Sequence, residues 1–75
     1  MSVLTVDTKG LNCPLPILWA KKAISGLEPG DTLEVLATDP AAVGDFEAFS
    51  RATGHELSEW SEHSGVFRFL LEKCA

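Results

Sequence analysis

A chain of 75 residues with a net charge of −5 has room for one domain, spanning 1–75, and for only a thin core. A chain this short buries roughly 60% of the surface that its unfolded form exposes, so any chemistry must sit near the surface on a helix end or a loop. Six Lys and Arg stand against eleven Asp and Glu. That balance is wrong for neutralising phosphates, and no direct nucleic-acid partner is expected. No apolar run approaches the ~20 residues that cross a bilayer. The start of the chain also lacks the basic and apolar stretches of a secretion signal. A cytoplasmic protein is therefore expected, in which Cys13 and Cys74 are free thiols and not a structural disulfide.

Val3 to Asp7 is rich in β-branched residues and predicts a first strand. Gly10 allows a backbone turn in the connection that follows. Pro14 occupies the first position of a predicted helix, where proline is best tolerated, and Pro16 stiffens the same turn. Ile17, Ala20, Ile24 and Leu27 recur at helical spacing with Lys21 and Lys22 off that stripe, and Gly26 ends the helix. Glu28-Pro29-Gly30-Asp31 has the order of a type II turn. Thr32 to Thr38 predicts a second strand, with Leu33, Val35 and Ala37 on one face. Asp39-Pro40 predicts the start of a second helix, Asp39 as its cap. Its apolar face is Ala42, Val43, Phe46, Phe49 and Ala52, and Gly54 stops it.

His55 to Glu62 predicts a third strand, although alternation puts Leu57 and Trp60 on opposite faces. His63-Ser64-Gly65 is the expected hairpin connection. Val66 to Lys73 is a fourth strand with Phe67, Phe69 and Leu71 on one side. The order βαβαββ predicts a right-handed parallel crossover followed by an antiparallel hairpin. The fold class is then α/β (α+β), a two-layer sandwich with a four-stranded mixed sheet and two helices on one face. The starts of both helices should open onto one end of the sheet, where open α/β sheets place ligands.

Cys13 stands at the start of the first helix. Aligned peptide dipoles and unpaired N–H groups there favour a negative charge, and the thiolate is the nucleophilic form of sulfur. Neither proline has an N–H, so the nearest donors are Leu15 and Ile17, and the expected lowering of the thiol pKa is moderate. Cys13 and Leu15 each precede a proline, which favours an extended backbone and an outward-facing sulfur. No Cys-x-x-Cys, no four-ligand Cys/His cluster for a metal and no glycine-rich phosphate loop is present. A single thiol without a built-in partner suits a covalent carrier better than a self-contained enzyme.

Gly10-Leu11-Asn12-Cys13-Pro14-Leu15-Pro16, Lys21-Lys22, Pro29-Gly30-Asp31, Thr38-Asp39-Pro40 and Gly54-His55 together resemble the TusA/SirA-like sulfur carrier family over almost the whole chain. The resemblance implies the same βαβαββ sandwich. It also implies that Cys13 accepts sulfane sulfur as a persulfide and passes it on as a sulfurtransferase component, with no cofactor beyond that covalent sulfur. A cysteine desulfurase or a rhodanese-like protein is the implied donor. The implied acceptor is a protein of a sulfur relay, in tRNA thiolation or in dissimilatory sulfur metabolism.

Gly10, Pro14 and Pro16 support the motif. Lys21, Lys22 and Asp39 are candidate contacts for a partner or for the persulfide anion, against the simpler readings of a solvated face and a helix cap. Cys74 reads as a frayed terminal residue, with a resolving thiol for Cys13 as the lesser alternative. For His55 a structural hydrogen bond is the simpler role. Trp19 and Trp60 are candidates for interface contacts, with core packing as the default reading for each. Two other functions use the same residues: a non-catalytic regulatory interaction module, and a small thiol redox protein acting through Cys13.

Overall fold

The computed structural model describes residues 3–12 and 14–74. The elements are β1 (Val3–Asp7), α1 (Leu15–Ser25), β2 (Thr32–Ala37), α2 (Ala42–Thr53), β3 (Glu56–His63) and β4 (Val66–Glu72). The sheet order is β1-β2-β4-β3. β1 and β2 are parallel, while β4 runs antiparallel to both β2 and β3. This is the mixed sheet that the sequence order predicts.

Period-two alternation sends Leu33, Val35 and Ala37 of β2 to one face, where all three are fully buried. Register places Leu71, Phe69 and Phe67 of β4 opposite them on that face. Ala20 and Ile24 from α1 and Ala42, Phe46 and Phe49 from α2 complete the buried cluster. Phe46 stacks on Phe69 at a centroid distance of 4.5 Å and fixes α2 to the centre of the sheet. Full burial of such side chains contributes about 1.5–3 kcal/mol each, which a small sheet needs. Both helices thus cover one face. Ala52 is the exception in the apolar face expected of α2, since it is exposed.

Several boundaries shift by a residue or two from expectation: β2 ends at Ala37 and not Thr38, β3 runs Glu56–His63 and not from His55 to Glu62, and β4 ends at Glu72 and not Lys73. α2 begins at Ala42, with Ala41 as its cap residue and no side-chain cap. Asp39 instead closes the turn ahead of the helix: its Oδ1 accepts the Ala41 N–H at 3.0 Å and its carbonyl accepts the Ala42 N–H at 2.9 Å. Asx turns of this kind compete with direct capping. His63 is the last residue of β3, paired with Val66, and not part of the turn. The two-residue connection Ser64-Gly65 has φ of 52° and 83°, the positive pair that a type I′ hairpin requires.

The awkward alternation in β3 has a physical resolution. A register shift lies between Leu57 and Glu59, so Leu57 pairs with Leu71 and Trp60 with Phe69. Leu71 and Phe69 are two apart and share a face. The extra residue, Ser58, therefore acts as a β-bulge that brings Leu57 and Trp60 to the same side. Trp60 lies 6.2 Å from the Phe69 ring and 6.3 Å from Phe67.

The open face is held by a polar trio across three strands. Glu34 accepts Thr5 Oγ1–H at 2.8 Å through Oε1 and the Arg68 Nε–H through Oε2. These bonds, the Thr5 hydroxyl foremost, hold the Glu34 carboxyl below its ordinary value of 4.5. A lowered folded-state value means that the unfolded chain binds more protons in that range, so stability rises with pH there. The contribution is full above pH 4.5 and fades as pH falls through the lower, folded-state value. Urea unfolding across this range should show the acid limb flattened in Glu34→Gln, with a loss at neutral pH of under about 1 kcal/mol for so exposed a cluster.

Candidate functional site

The end of the sheet where β1 and β2 finish is stitched together by two threonines. Thr8 is the buried polar residue among those described, 1% exposed. Its N–H and its hydroxyl both donate to the Leu36 carbonyl, at 2.8 and 2.6 Å. Beyond β2, Thr38 Oγ1 accepts the Gly10 N–H at 2.9 Å. Gly10 has φ +86°, a left-handed conformation that glycine adopts without cost. The β1–α1 connection is thereby tied to the strand beside it. The approaches to α1 and α2 open onto one end of the sheet, as expected.

Cys13 itself lies outside the described residues, and its flanks define the setting. Asn12, Pro14 and Leu15 are exposed, whereas Pro16 is buried. The Asn12 carbonyl accepts the Leu15 N–H at 2.9 Å. Leu15, expected to be one of the donors nearest Cys13, thus spends its N–H within the turn. α1 starts at Leu15 with Pro14 as its cap residue, one residue later than expected, and its first turn has no acidic side chain. The two prolines therefore divide their work. Pro14 shapes the exposed entry, while Pro16, in the first turn, anchors the helix start in the core.

α1 is apolar on two sides. Pro16, Ala20 and Ile24 face the sheet. On the opposite side Leu15, Leu18 and Trp19 are 42%, 54% and 50% exposed. At spacings of three and four residues they form one stripe that leads away from the motif. Lys22 continues it, with Nζ 5.9 Å from the centre of the Trp19 ring, and Lys21 is also exposed. Trp19 and the lysines were legible as contact candidates, but Leu15 and Leu18 were missed. The signal was available: in Leu15-Pro16-Ile17-Leu18-Trp19 every residue is apolar, more than one core stripe can use. Asp39 is half-buried in the turn before α2, beside Thr38.

Cys74 is a free thiol at the other end. It follows Glu72, which pairs with Thr32 at the start of β2. The segment flanking Cys13 joins the far end of β2, about 17 Å away at ~3.3 Å per residue. The structure therefore does not bring Cys74 to the motif. Nor is Cys74 frayed. Its N–H donates to His55 Nδ1 at 3.1 Å, and the preceding Lys73 exchanges bonds with Gly30 and Asp31. His55 thus has the structural role expected of it.

No group of three or more His, Cys, Asp or Glu suited to a metal ion occurs among the described residues, and these residues enclose no cavity. No helix among them is long and apolar enough to cross a membrane. The fold and site define a small two-layer α/β protein that presents a Cys-Pro-x-Pro turn beside an exposed apolar helix face.

Comparison with known proteins places this class. The family model described as sulfurtransferase TusA matches residues 4–73, and the chain belongs to that family. A candidate sulfur carrier protein of Neisseria meningitidis is 56% identical over 72 residues, covering 96% of this chain and 97% of the relative. The sulfur carrier protein TusA of Allochromatium vinosum is 53% identical over 68 residues, covering 91% and 90%. The crystal structure of a SirA-like protein from Desulfitobacterium hafniense superposes with a TM-score of 0.81 at 26% identity, covering all of both chains.

The division of labour between the prolines is testable by chemical denaturation. Pro16→Ala removes a buried ring and should cost about 1–2 kcal/mol. Pro14→Ala, at an exposed position, should change stability by under about 1 kcal/mol.

Proposed function

We propose that this protein is a sulfur carrier in which Cys13 holds sulfane sulfur as a persulfide. In loading, the Cys13 thiolate attacks the outer sulfur of a donor persulfide. The donor's S–S bond breaks as the new one forms, and the donor leaves as a thiolate. In delivery, an acceptor thiolate attacks the outer sulfur of Cys13–S–S⁻ and Cys13 is the leaving group. Both steps are exchange at divalent sulfur, which calls for an accessible thiol and no further cofactor. The observation that carries this reading is the match of residues 4–73 to the family, with Cys13 between exposed neighbours at the start of α1.

Membership of the family implies protein partners that give and take sulfur. A cysteine desulfurase or rhodanese-like protein is the donor in this reading, in the cytoplasm, and a thiol of a sulfur-relay protein is the acceptor, serving tRNA thiolation or dissimilatory sulfur metabolism. Leu15, Leu18 and Trp19 provide the docking surface, because three large apolar side chains in a row on a small domain stay exposed at a cost that a partner relieves. Lys21 and Lys22 border that stripe and favour an acidic rim on the partner. Asp39, on the next connection, extends the contact past the motif. Gly10, Pro14 and Pro16 hold Cys13 at the tip.

Incubation with a cysteine desulfurase and cysteine should add one sulfur, seen by intact mass and lost on reduction. Cys13→Ser should abolish the gain, and no gain on the unaltered protein with any sulfane donor would sink the carrier reading. Trp19→Ala should leave the fold intact and lower the loading rate at limiting protein by roughly tenfold, as loss of an aromatic interface anchor does.

A further inference from the structure

β1 and β3 are the two outer strands of the sheet, and they are unlike. β3 carries Glu56, Glu59 and Glu62, all exposed. β1 reads Val3-Leu4-Thr5-Val6-Asp7. Its one charge is Asp7, whose Oδ2 lies 3.7 Å from Lys9 Nζ. It has no lysine, proline or bulge, the devices that blunt an exposed edge. Val3 and Leu4 are 67% and 42% exposed. The direction of its peptide groups follows from one bond. The Thr8 N–H donates to the Leu36 carbonyl, and Asp7 is the residue that pairs with Leu36. In a parallel pair of that register Leu4 and Val6 aim their N–H and C=O groups at β2, whereas Val3, Thr5 and Asp7 aim theirs outward. The side chains alternate as well. Leu4 and Val6 lie on the helix-covered face beside Leu33 and Val35. Val3, Thr5 and Asp7 lie on the open face, where Thr5 bonds to Glu34.

We propose that β1 is a homodimer interface, on which β1 of a second copy of this chain adds to the sheet antiparallel, with Thr5 on the two-fold axis. This register pairs Thr5 with Thr5 and Val3 with Asp7 of the second copy. The three outward-facing residues of each copy then exchange both of their backbone bonds with one another. It is also the register in which all five residues of β1 are paired. On the helix side it sets Leu4 of each copy against Val6 of the other, an apolar cross-strand pair that covers Leu4 and carries the apolar layer across the axis. The contact uses the same strand on both copies and closes at two. The outer strand left on each copy is β3, where facing rows of glutamate repel. A five-residue ladder buries little surface, so the dimer is of the weak, concentration-dependent kind found below about 1,200 Å². The two Asp7 residues lie roughly 13 Å apart along the ladder, at ~3.3 Å per residue. The segments leading to Cys13 therefore leave at opposite ends, and the pairing does not rest on the carrier reading.

Sedimentation velocity of the full chain in reductant, at concentrations rising into the millimolar range, should shift from monomer to dimer and no further. Leu4→Lys puts a charge into the contact twice and should weaken association at least about tenfold. The register is read by cross-linking on a Cys13→Ser/Cys74→Ser background, which removes both cysteines of the chain. Thr5→Cys sets two thiols across the axis, with Cα atoms about 5.5 Å apart and within reach of a disulfide. Val3→Cys sets them roughly 13 Å apart. Under mild oxidation Thr5→Cys should form covalent dimer at least about tenfold faster, although Val3 is 67% exposed. A constant monomer mass, species beyond the dimer, an unchanged association in a folded Leu4→Lys variant, or an equal or reversed order of cross-linking would each overturn the proposal. If circular dichroism shows Leu4→Lys unfolded, the sedimentation series and the cross-linking order decide.

Discussion

The site depends on the two donors that Thr8 gives to one carbonyl. The end of a parallel strand pair leaves the next peptide groups without a ladder, and the chain must turn away towards a crossover helix. By placing both its N–H and its hydroxyl on Leu36, Thr8 extends the β1–β2 pairing by one step inside the core. A buried hydroxyl without such a partner is costly. The direction in which the chain leaves the sheet is thereby set, and Thr38 fixes it again through Gly10. The described part of the approach to α1 follows from these bonds. The prolines add stiffness downstream, but they act on a segment whose root is already fixed.

A second constraint comes from size. Among the described residues, two helices on one face of a four-stranded sheet bury ten hydrophobic residues and Pro16 fully or nearly so. That leaves no interior for a binding cleft. A protein of this build can offer chemistry only at a tip and recognition only on a flank. The start of α1 is the tip and its outward stripe is the flank, so one helix supplies both. Exchange between proteins suits this geometry, since the partner provides the walls that the small domain cannot.

Much of this was legible in the sequence because the relevant signals are local. β1 matches its expected span, and Gly26 and Gly54 end their helices. Gly30, with φ +93°, sits where the type II turn needs it. The departures arose where local signals compete. Asp39 could cap a helix or close a turn, and the turn won. Alternation in β3 fails at Ser58 because a bulge adds a residue, and only cross-strand pairing reveals it. Cys74 looked terminal and loose, but a partner 19 positions earlier holds it. The outward stripe of α1 was hidden by the habit of assigning every apolar residue of a helix to the core.

The sheet order leaves β3, the strand that carries the bulge at Ser58, at an outer edge with β4 as its neighbour in the sheet. Unpaired strand edges recruit other chains, and charges along them are a common defence. Glu56, Glu59 and Glu62 lie along β3, all exposed. α1 carries no acid at all. The acidity that marks the whole chain is thus concentrated in part where it keeps the sheet from growing. α1, whose outward stripe is the proposed docking surface, is left free of it, so the charged edge and the apolar stripe lie toward opposite margins of the same small sheet.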